Sequence, residues 1–285
     1  MTIERVGVIG GGLMGSGIVE VNARAGIDVT LVEVSPEAVK AAEARVTSSL
    51  DRALGRGKLS QEDYDSTLER IRFTDDLEQL ADRQLVVEAA SEREDIKLDL
   101  FRRLGQILTD DQAILASNTS SIPIVKLGAV SGRADRVMGV HFFNPAPVMK
   151  LVELIPSLTS SPETLERMRG YVTDGLGKDP IEATDRAGFV VNSLLVPYLL
   201  SAIRMYEAGY ASAADIDQGM VLGCGHPMGP LALSDLIGLD TVRAIGISMY
   251  DEFKEPLYSP PPLLDRMVDA GLLGKKSGHG FYPYG

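Results

Sequence analysis

The 285-residue chain has one cysteine, Cys224, no tryptophan and three histidines. A lone cysteine excludes an internal disulfide, and with it the stapled frameworks of small secreted domains. It also excludes a zinc site built on cysteine pairs, and no His/Cys/Asp cluster at ligand spacing replaces one, so no metal is expected. Positive charge is scarce: 28 Lys and Arg stand against 40 Asp and Glu, for a formal net charge of −12. A nucleic-acid-binding chain shows a basic face, so no nucleic-acid partner is expected. A local basic pocket on an acidic body can still take a polyanionic small molecule. No apolar run reaches the ~20 residues of a membrane-spanning helix, and no membrane partner is expected. The first strand begins almost at once, so no leader segment is expected and a cytoplasmic protein is the default. A hydrophobic fraction of 45% and a charged fraction of 24% suit a globular chain able to bury a large core. The length fits one large domain or two ordinary ones.

Against these absences stands one dense feature. Residues 6–15 read Val-Gly-Val-Ile-Gly-Gly-Gly-Leu-Met-Gly. The β-branched run Val6–Ile9 leads directly into Gly10-x-Gly12-x-x-Gly15, and an amphipathic helix is predicted over 13–25. That strand–turn–helix context is what a dinucleotide fingerprint requires. Gly10 permits a tight turn, Gly12 lets backbone approach a pyrophosphate, and Gly15 lets helix pack close to strand. The start of the helix offers N–H groups and a positive dipole end to the phosphates. The turn as a whole, Gly10, Gly11, Gly12, Leu13, Met14 and Gly15, is the candidate phosphate cradle. A second strand over 28–33 ends in Glu33, 23 residues after Gly10, the separation at which an acid hydrogen-bonds the adenosine ribose. Residues 34–36, Val-Ser-Pro, hold no Arg for a 2′-phosphate, which favours NAD over NADP. The competing readings are an ordinary βαβ unit with a glycine-rich turn, and a methyltransferase, which also carries an acid at the end of its second strand.

Strands are predicted at 4–9, 28–33, 71–73, 85–88, 113–117, 136–142, 148–155 and 179–183, with helical stretches between them. This alternation implies an α/β fold, a mainly parallel sheet covered on both faces. The polar segment 36–70 reads as two helices, 36–54 and 60–70, broken at Gly55-Arg-Gly57 and inserted as a hairpin between strands two and three. A helix is expected at 122–128. From Ala187 onward the periodicity is helical throughout, at 188–208, 213–222, 229–236, 239–253 and 261–271. The expected division is a dinucleotide-binding domain over 1–185 and an all-α domain over 186–285, with a cleft between them where small-molecule sites commonly form.

Of the three histidines, His141 ends the apolar strand Arg136-Val-Met-Gly-Val-His141. In an open α/β sheet, ligands bind beyond the carboxyl ends of the strands, so His141 is the histidine best placed to meet a nicotinamide. Its plainer reading is a hydrogen-bonded interior histidine. The strand Met149-Lys-Leu-Val-Glu153 then places a carboxylate in an apolar run, and a buried acid needs a partner. A His141–Glu153 pair would fix the imidazole tautomer and raise its basicity, as a general base requires. The alternative for Glu153 is a strand-edge acid facing water. Ala116-Ser-Asn-Thr-Ser-Ser121 follows another apolar strand and offers hydroxyls and amides for a substrate oxygen; an ordinary turn and helix cap would use the same residues. A general base beside NAD implies oxidation of a secondary alcohol.

Together these motifs resemble the 3-hydroxyacyl-CoA dehydrogenase family, over nearly the whole chain from Gly7 to Tyr284. The motifs that carry the resemblance are Val-Ile-Gly-Gly-Gly-Leu-Met-Gly-Ser-Gly (8–17), Ser-Asn-Thr-Ser-Ser (117–121), His-Phe-Phe-Asn-Pro (141–145), Val-Met-Lys-Leu-Val-Glu (148–153), Gly-Phe-Val-Val-Asn (188–192), His-Pro-Met-Gly-Pro (226–230), Gly-Leu-Asp (238–240) and Gly-Lys-Lys-Ser-Gly-His-Gly-Phe-Tyr (274–282). The resemblance implies a Rossmann-like first domain, a catalytic dyad of His141 and Glu153, and substrate hydrogen bonds from Ser120 and Asn192. It places Glu33 on the adenosine ribose, where the family commonly has Asp. It adds NAD contacts from Glu92, Lys97, Asn144 and Lys276; read alone, Lys97 and Lys276 are solvated charges. Coenzyme A binding in the family uses the helical hairpin, where Ser49, Arg52, Arg56 and Lys58 are candidates, or else merely a solvated helix end. Family members dimerise through the helical domain, which makes a homodimer the expected assembly. The implied activity is that of an NAD-dependent (3S)-3-hydroxyacyl-CoA dehydrogenase, most like a short-chain 3-hydroxybutyryl-CoA enzyme, with an acyl-CoA as partner. The alternatives are a related dehydrogenase acting on a carrier-protein thioester, a dicarboxylic acyl-CoA or a sugar acid, and a non-catalytic NAD-binding structural protein.

Overall fold

The computed structural model describes residues 2–285. The chain starts with β1 (Arg5–Ile9), α1 (Leu13–Arg24) and β2 (Asp28–Val32). The hairpin α2 (Pro36–Gly55) and α3 (Gln61–Glu69) follows, then β3 (Ile71–Thr74). Ser35 caps α2 through the Ala38 N–H, with Pro36 in the first turn, and Ser60 caps α3 through the Asp63 N–H. Each cap is worth about 1 kcal/mol. On α2 the buried residues are Ala42, Val46 and Leu50, a four-residue repeat that turns one stripe of a polar helix to the core.

Next come β4 (Leu85–Glu88), α4 (Glu94–Ile107), β5 (Ile114–Ser117), α5 (Ile124–Ser131), β6 (Val137–Phe142), β7 (Leu151–Pro156), α6 (Pro162–Gly170) and β8 (Asp179–Glu182). The eight strands form one sheet in the order β3-β2-β1-β4-β5-β6-β7-β8. Every neighbouring pair is parallel except β6 and β7. β4, β5 and β6 are buried along their whole length, as strands covered on both faces must be. The strand order reverses between β1 and β4, and ligands of open α/β sheets bind at such a switch.

The sheet matches the expected mainly parallel α/β architecture, with local differences. α5 starts at Ile124 rather than at 122, because both Asp185 carboxylate oxygens accept its first amides, from Ile124 (2.8 Å) and Val125 (2.9 Å). β7 starts at Leu151 rather than 148, because the Val148 and Met149 amides turn back to the Pro145 carbonyl. Helix α6 fills the interval between the last two strands, where a helical stretch is expected without bounds; Ser161 caps it through the Thr164 N–H, with Pro162 in its first turn.

The chain divides into two compact units, one ending at Arg186 and the other beginning at Ala187. The second unit holds α7 (Val191–Glu207), α8 (Ala213–Cys224), α9 (Pro230–Ile237), α10 (Leu239–Phe253) and α11 (Pro262–Asp269) around Leu199, Leu200, Ile203, Leu231, Val242 and Met249. Two buried carboxylates organise it. Asp217 accepts the Leu231 and Ala232 amides at the start of α9, and Asp235 accepts the Phe281 and Tyr282 amides of the C-terminal segment. Among the described residues no helix is long and apolar enough to cross a membrane.

Candidate active site

The glycine turn lies at the switch between β1 and β4. Gly10 has φ +91°, and a Cβ there would lie 2.7 Å from the Ala89 carbonyl oxygen. A Cβ on Gly15 would lie 1.7 Å from the Gly10 carbonyl oxygen, so α1 rests on the turn with no room for a side chain. Around Gly12 there is open space, and no side chain caps the start of α1. Leu13 is exposed, and Met14 packs partly against the core. Gly11 donates its amide to Glu33 Oε1 (2.6 Å), while the Gly11 carbonyl accepts from Ser16 Oγ (2.8 Å) and Arg45 Nη1 (2.7 Å). Glu33 Oε2 accepts the Val34 amide at 3.1 Å. A cavity of about 920 Å³ opens here, lined by Gly10, Gly12, Glu33, Ala89, Ala90 and Arg103 among others. An uncapped helix start, a bare Gly12 and a fixed carboxylate on one cavity fit the phosphates and ribose of a dinucleotide.

A buried charge network borders this cavity. Lys97 is 1% exposed. Its ammonium donates to Glu88 Oε1 at 2.5 Å and lies 3.2 Å from Glu92 Oε2. The solvated-charge reading of Lys97 is therefore overturned: the first turn of α4 carries it inward, beneath the 89–92 loop, to two carboxylates. Glu88 also accepts from the Ala90 amide (2.7 Å) and from Ser117 Oγ (2.6 Å). Glu92 Oε1 accepts from Thr119 Oγ1, from the Ser120 amide at 3.1 Å and from Ser121 Oγ at 2.7 Å. Burial pushes the Glu92 carboxyl up, but the Lys97 charge and the Thr119 and Ser121 hydroxyls outweigh it and hold the group below the ordinary carboxylate range.

His141 and Glu153 are register partners across the antiparallel pair β6–β7. His141 Nδ1 and Glu153 Oε2 are 2.7 Å apart, with Glu153 fully buried. Glu153 is thus no water-facing edge acid, since β8 covers the far side of β7. The Phe143 ring meets the imidazole edge-on, 4.8 Å between centroids. Asn118 Oδ1 accepts the Phe142 amide at 2.9 Å, which ties the 117–121 loop to the strand end that carries His141. Ser120 is half-buried on that loop, and Asn144 is exposed on the β6–β7 connection. Below that connection Lys178, 7% exposed, donates to the Ala146 (2.8 Å) and Met149 (2.6 Å) carbonyls. Burial, reinforced by Arg24, pulls its ammonium below the ordinary lysine range.

Two expected residues belong to the second unit. Asn192 is buried in the first turn of α7, and Lys276 is exposed and ion-paired to Asp240 at 2.5 Å. On the hairpin, Ser49 is half-buried, while Arg52, Arg56 and Lys58 are exposed; Arg52 donates to Ser48 Oγ at 2.7 Å. Glu88, Arg45 and Lys178 were missed from the sequence, and Asn118 stood in the 117–121 run as a substrate-facing amide rather than as the acceptor of the Phe142 amide. Glu88 alone left a signal there, an acid ending an otherwise apolar strand, which is the same signal that singled out Glu153.

A dinucleotide cradle at a strand-order switch, with a buried imidazole–carboxylate pair on the same sheet, defines an NAD-dependent dehydrogenase. Residues 5–186 match the family described as "3-hydroxyacyl-CoA dehydrogenase, NAD binding domain", and residues 188–284 match "3-hydroxyacyl-CoA dehydrogenase, C-terminal domain". The "3-hydroxybutyryl-CoA dehydrogenase" of Mycobacterium tuberculosis is 54% identical over 282 residues, 99% of each chain. The crystal structure of M. tuberculosis FadB2 superposes with a TM-score of 0.99 at 53% identity, and that of (S)-3-hydroxybutyryl-CoA dehydrogenase from Ralstonia eutropha with 0.94 at 45%, each covering 100% of both chains. The chain belongs to the 3-hydroxyacyl-CoA dehydrogenase family.

Proposed function

We propose that the protein interconverts (3S)-3-hydroxybutanoyl-CoA and acetoacetyl-CoA with NAD(H), with His141 as the general base. The observation that carries this is the His141–Glu153 pair, buried and 2.7 Å apart. Glu153 accepts the hydrogen on Nδ1, which leaves the Nε2 lone pair to take the substrate hydroxyl proton as the C3–H bond breaks. Glu153 then balances the imidazolium charge, and in the reverse direction Nε2 returns the proton to the 3-oxygen. Bound NAD supplies the hydride acceptor. Gly10–Gly15 and Glu33 hold its phosphates and ribose, with Glu92, Lys97, Asn144 and Lys276 assigned to the same cofactor. Ser120 and Asn192 hydrogen-bond the substrate near its thioester and 3-oxygen. Ser49, Arg52, Arg56 and Lys58 are assigned to the coenzyme A nucleotide, the three cations facing its phosphates.

The short-chain preference follows the names of the relatives. A homodimer through the helical unit is part of the same proposal, supported by large apolar side chains exposed there, with Leu194 and Leu222 each about three-quarters exposed. NAD(H) and acyl-CoA pools are intracellular, and we assign the reaction to the cytoplasm. Replacing His141 with Ala should lower turnover of acetoacetyl-CoA with NADH by roughly 10²–10⁴-fold, with the NADH dissociation constant nearly unchanged. Undiminished turnover would refute the mechanism. A series of 3-oxoacyl-CoAs from C4 to C16, beside the matching free acid and carrier-protein ester, tests the substrate; a preference for any other form refutes the C4 CoA assignment.

A further inference from the structure

Glu88 is fully buried at the end of β4, does not line the cofactor cavity, and has no part in the mechanism above. Its contacts reach both the 89–92 loop and the 117–121 loop. One carboxylate oxygen accepts from Lys97 Nζ and from the Ala90 amide in the cavity wall; the other accepts from Ser117 Oγ. Its backbone carbonyl accepts the Asn118 amide at 2.8 Å. Asn118 in turn accepts the Phe142 amide, next to His141. Lys97, seated by Glu88, meets Glu92, which gathers Thr119, Ser120 and Ser121. Its side chain thus joins the cavity wall, Lys97 and the serine-rich loop, and its backbone carbonyl ties in Asn118, which holds the strand end that carries the imidazole.

We infer that Glu88 is a positioning residue that fixes the cofactor loop 89–92 and the substrate loop 117–121 in one mutual register. The inference rests on the reading of the cavity as the NAD site and of Ser120 as a substrate contact. Glu88 touches neither ligand; it acts through Lys97, Ala90 and Ser117. Lys97 on this view is a clamp between two carboxylates rather than a free cation. A displacement of reacting groups by about 1 Å costs on the order of 10²-fold in rate, so a loosened junction shows in binding and in turnover together.

The test is Glu88→Gln, which keeps the shape and removes the charge that seats Lys97. With the melting temperature close to wild type, the NADH dissociation constant, read by fluorescence titration, should rise about tenfold. Turnover per folded molecule should fall by about 10–100-fold. A folded Gln variant with wild-type NADH affinity and turnover overturns the proposal, because a purely structural carboxylate would alter the melt alone. Should that variant not fold, Ser117→Ala cuts the Glu88 link to the substrate loop and removes no residue assigned to a ligand. It is expected to show the same losses, and wild-type constants in it overturn the proposal equally. Should neither fold, hydrogen exchange of the wild-type protein decides: added NADH should slow the Asn118 and Ala90 amides in step, and independent responses overturn the proposal. The NADH titration needs no turnover, so inactivity on acetoacetyl-CoA would sink the substrate assignment without touching this one.

Discussion

Two sets of charges in the molecule are placed by different physics. Glu88, Lys97, Glu153 and His141 are buried at or near the ends of strands or just beneath them. Arg52, Arg56 and Lys58 lie exposed on the hairpin. In the first set Glu88, His141 and Glu153 are fixed by sheet register, and the first turn of α4 brings Lys97 to Glu88. Glu88 stands opposite Ser117 across the parallel pair β4–β5 and bonds it at 2.6 Å; His141 stands opposite Glu153 across the antiparallel pair β6–β7 and bonds it at 2.7 Å. Facing residues on one face of a sheet meet side chain to side chain, and a buried charge without a partner costs several kcal/mol, so each pair has one permitted geometry. The hairpin cations have no such constraint. They are free to follow a ligand, and each contributes little.

The sharpest way to break this contrast is to remove one half of a register pair. Glu153→Ala should lower turnover by roughly 10²–10⁴-fold and cost about 1–3 kcal/mol of stability, since the imidazole Nδ1 loses its buried partner. The NADH dissociation constant should hold. Steady-state kinetics beside a thermal melt checks this, and a variant as active as wild type would show that register pairing here is only structural.

Glu92 stands between the two sets, its side chain 40% exposed yet paired to Lys97. Its carboxyl is held below the ordinary value of 4.5. The unfolded chain therefore takes up the proton first as pH falls. The stability Glu92 contributes is present above about 4.5 and is lost as pH drops through the depressed folded value. Melting temperatures measured on the acid side should fall more steeply for wild type than for Glu92→Gln. Parallel curves would mean that the Lys97 pairing adds nothing to the folded state.

The same contrast explains what could be read in advance. The strands, the hairpin and the helical second unit were legible because apolar runs and caps are local. His141 and Glu153 were legible because a polar residue in an apolar strand demands a partner. That β7 runs antiparallel and sets the two face to face is a long-range fact with no local mark. Lys97 was misread in isolation because a lysine on a charged helix looks the same whether it faces water or two carboxylates. Lys178 and Arg45 were not legible at all: their partners are backbone carbonyls, which every sequence supplies everywhere. Glu88 left the same mark as Glu153 but had no histidine to give it a chemical purpose.

The hairpin offers the smallest effect and the cleanest separation. Arg56 and Lys58 are exposed, so reversing both charges (Arg56→Glu with Lys58→Glu) disturbs no buried partner and should leave the melt within about 0.5 kcal/mol of wild type. If they meet the coenzyme A phosphates, the KM for acetoacetyl-CoA should rise several-fold at low salt, and the difference should shrink at high ionic strength, where exposed charges are screened beyond roughly 10 Å. The KM for NADH and the turnover number should not move, since neither residue lines the cofactor cavity. A KM for the thioester that is unchanged at low salt would return these cations to the solvated surface.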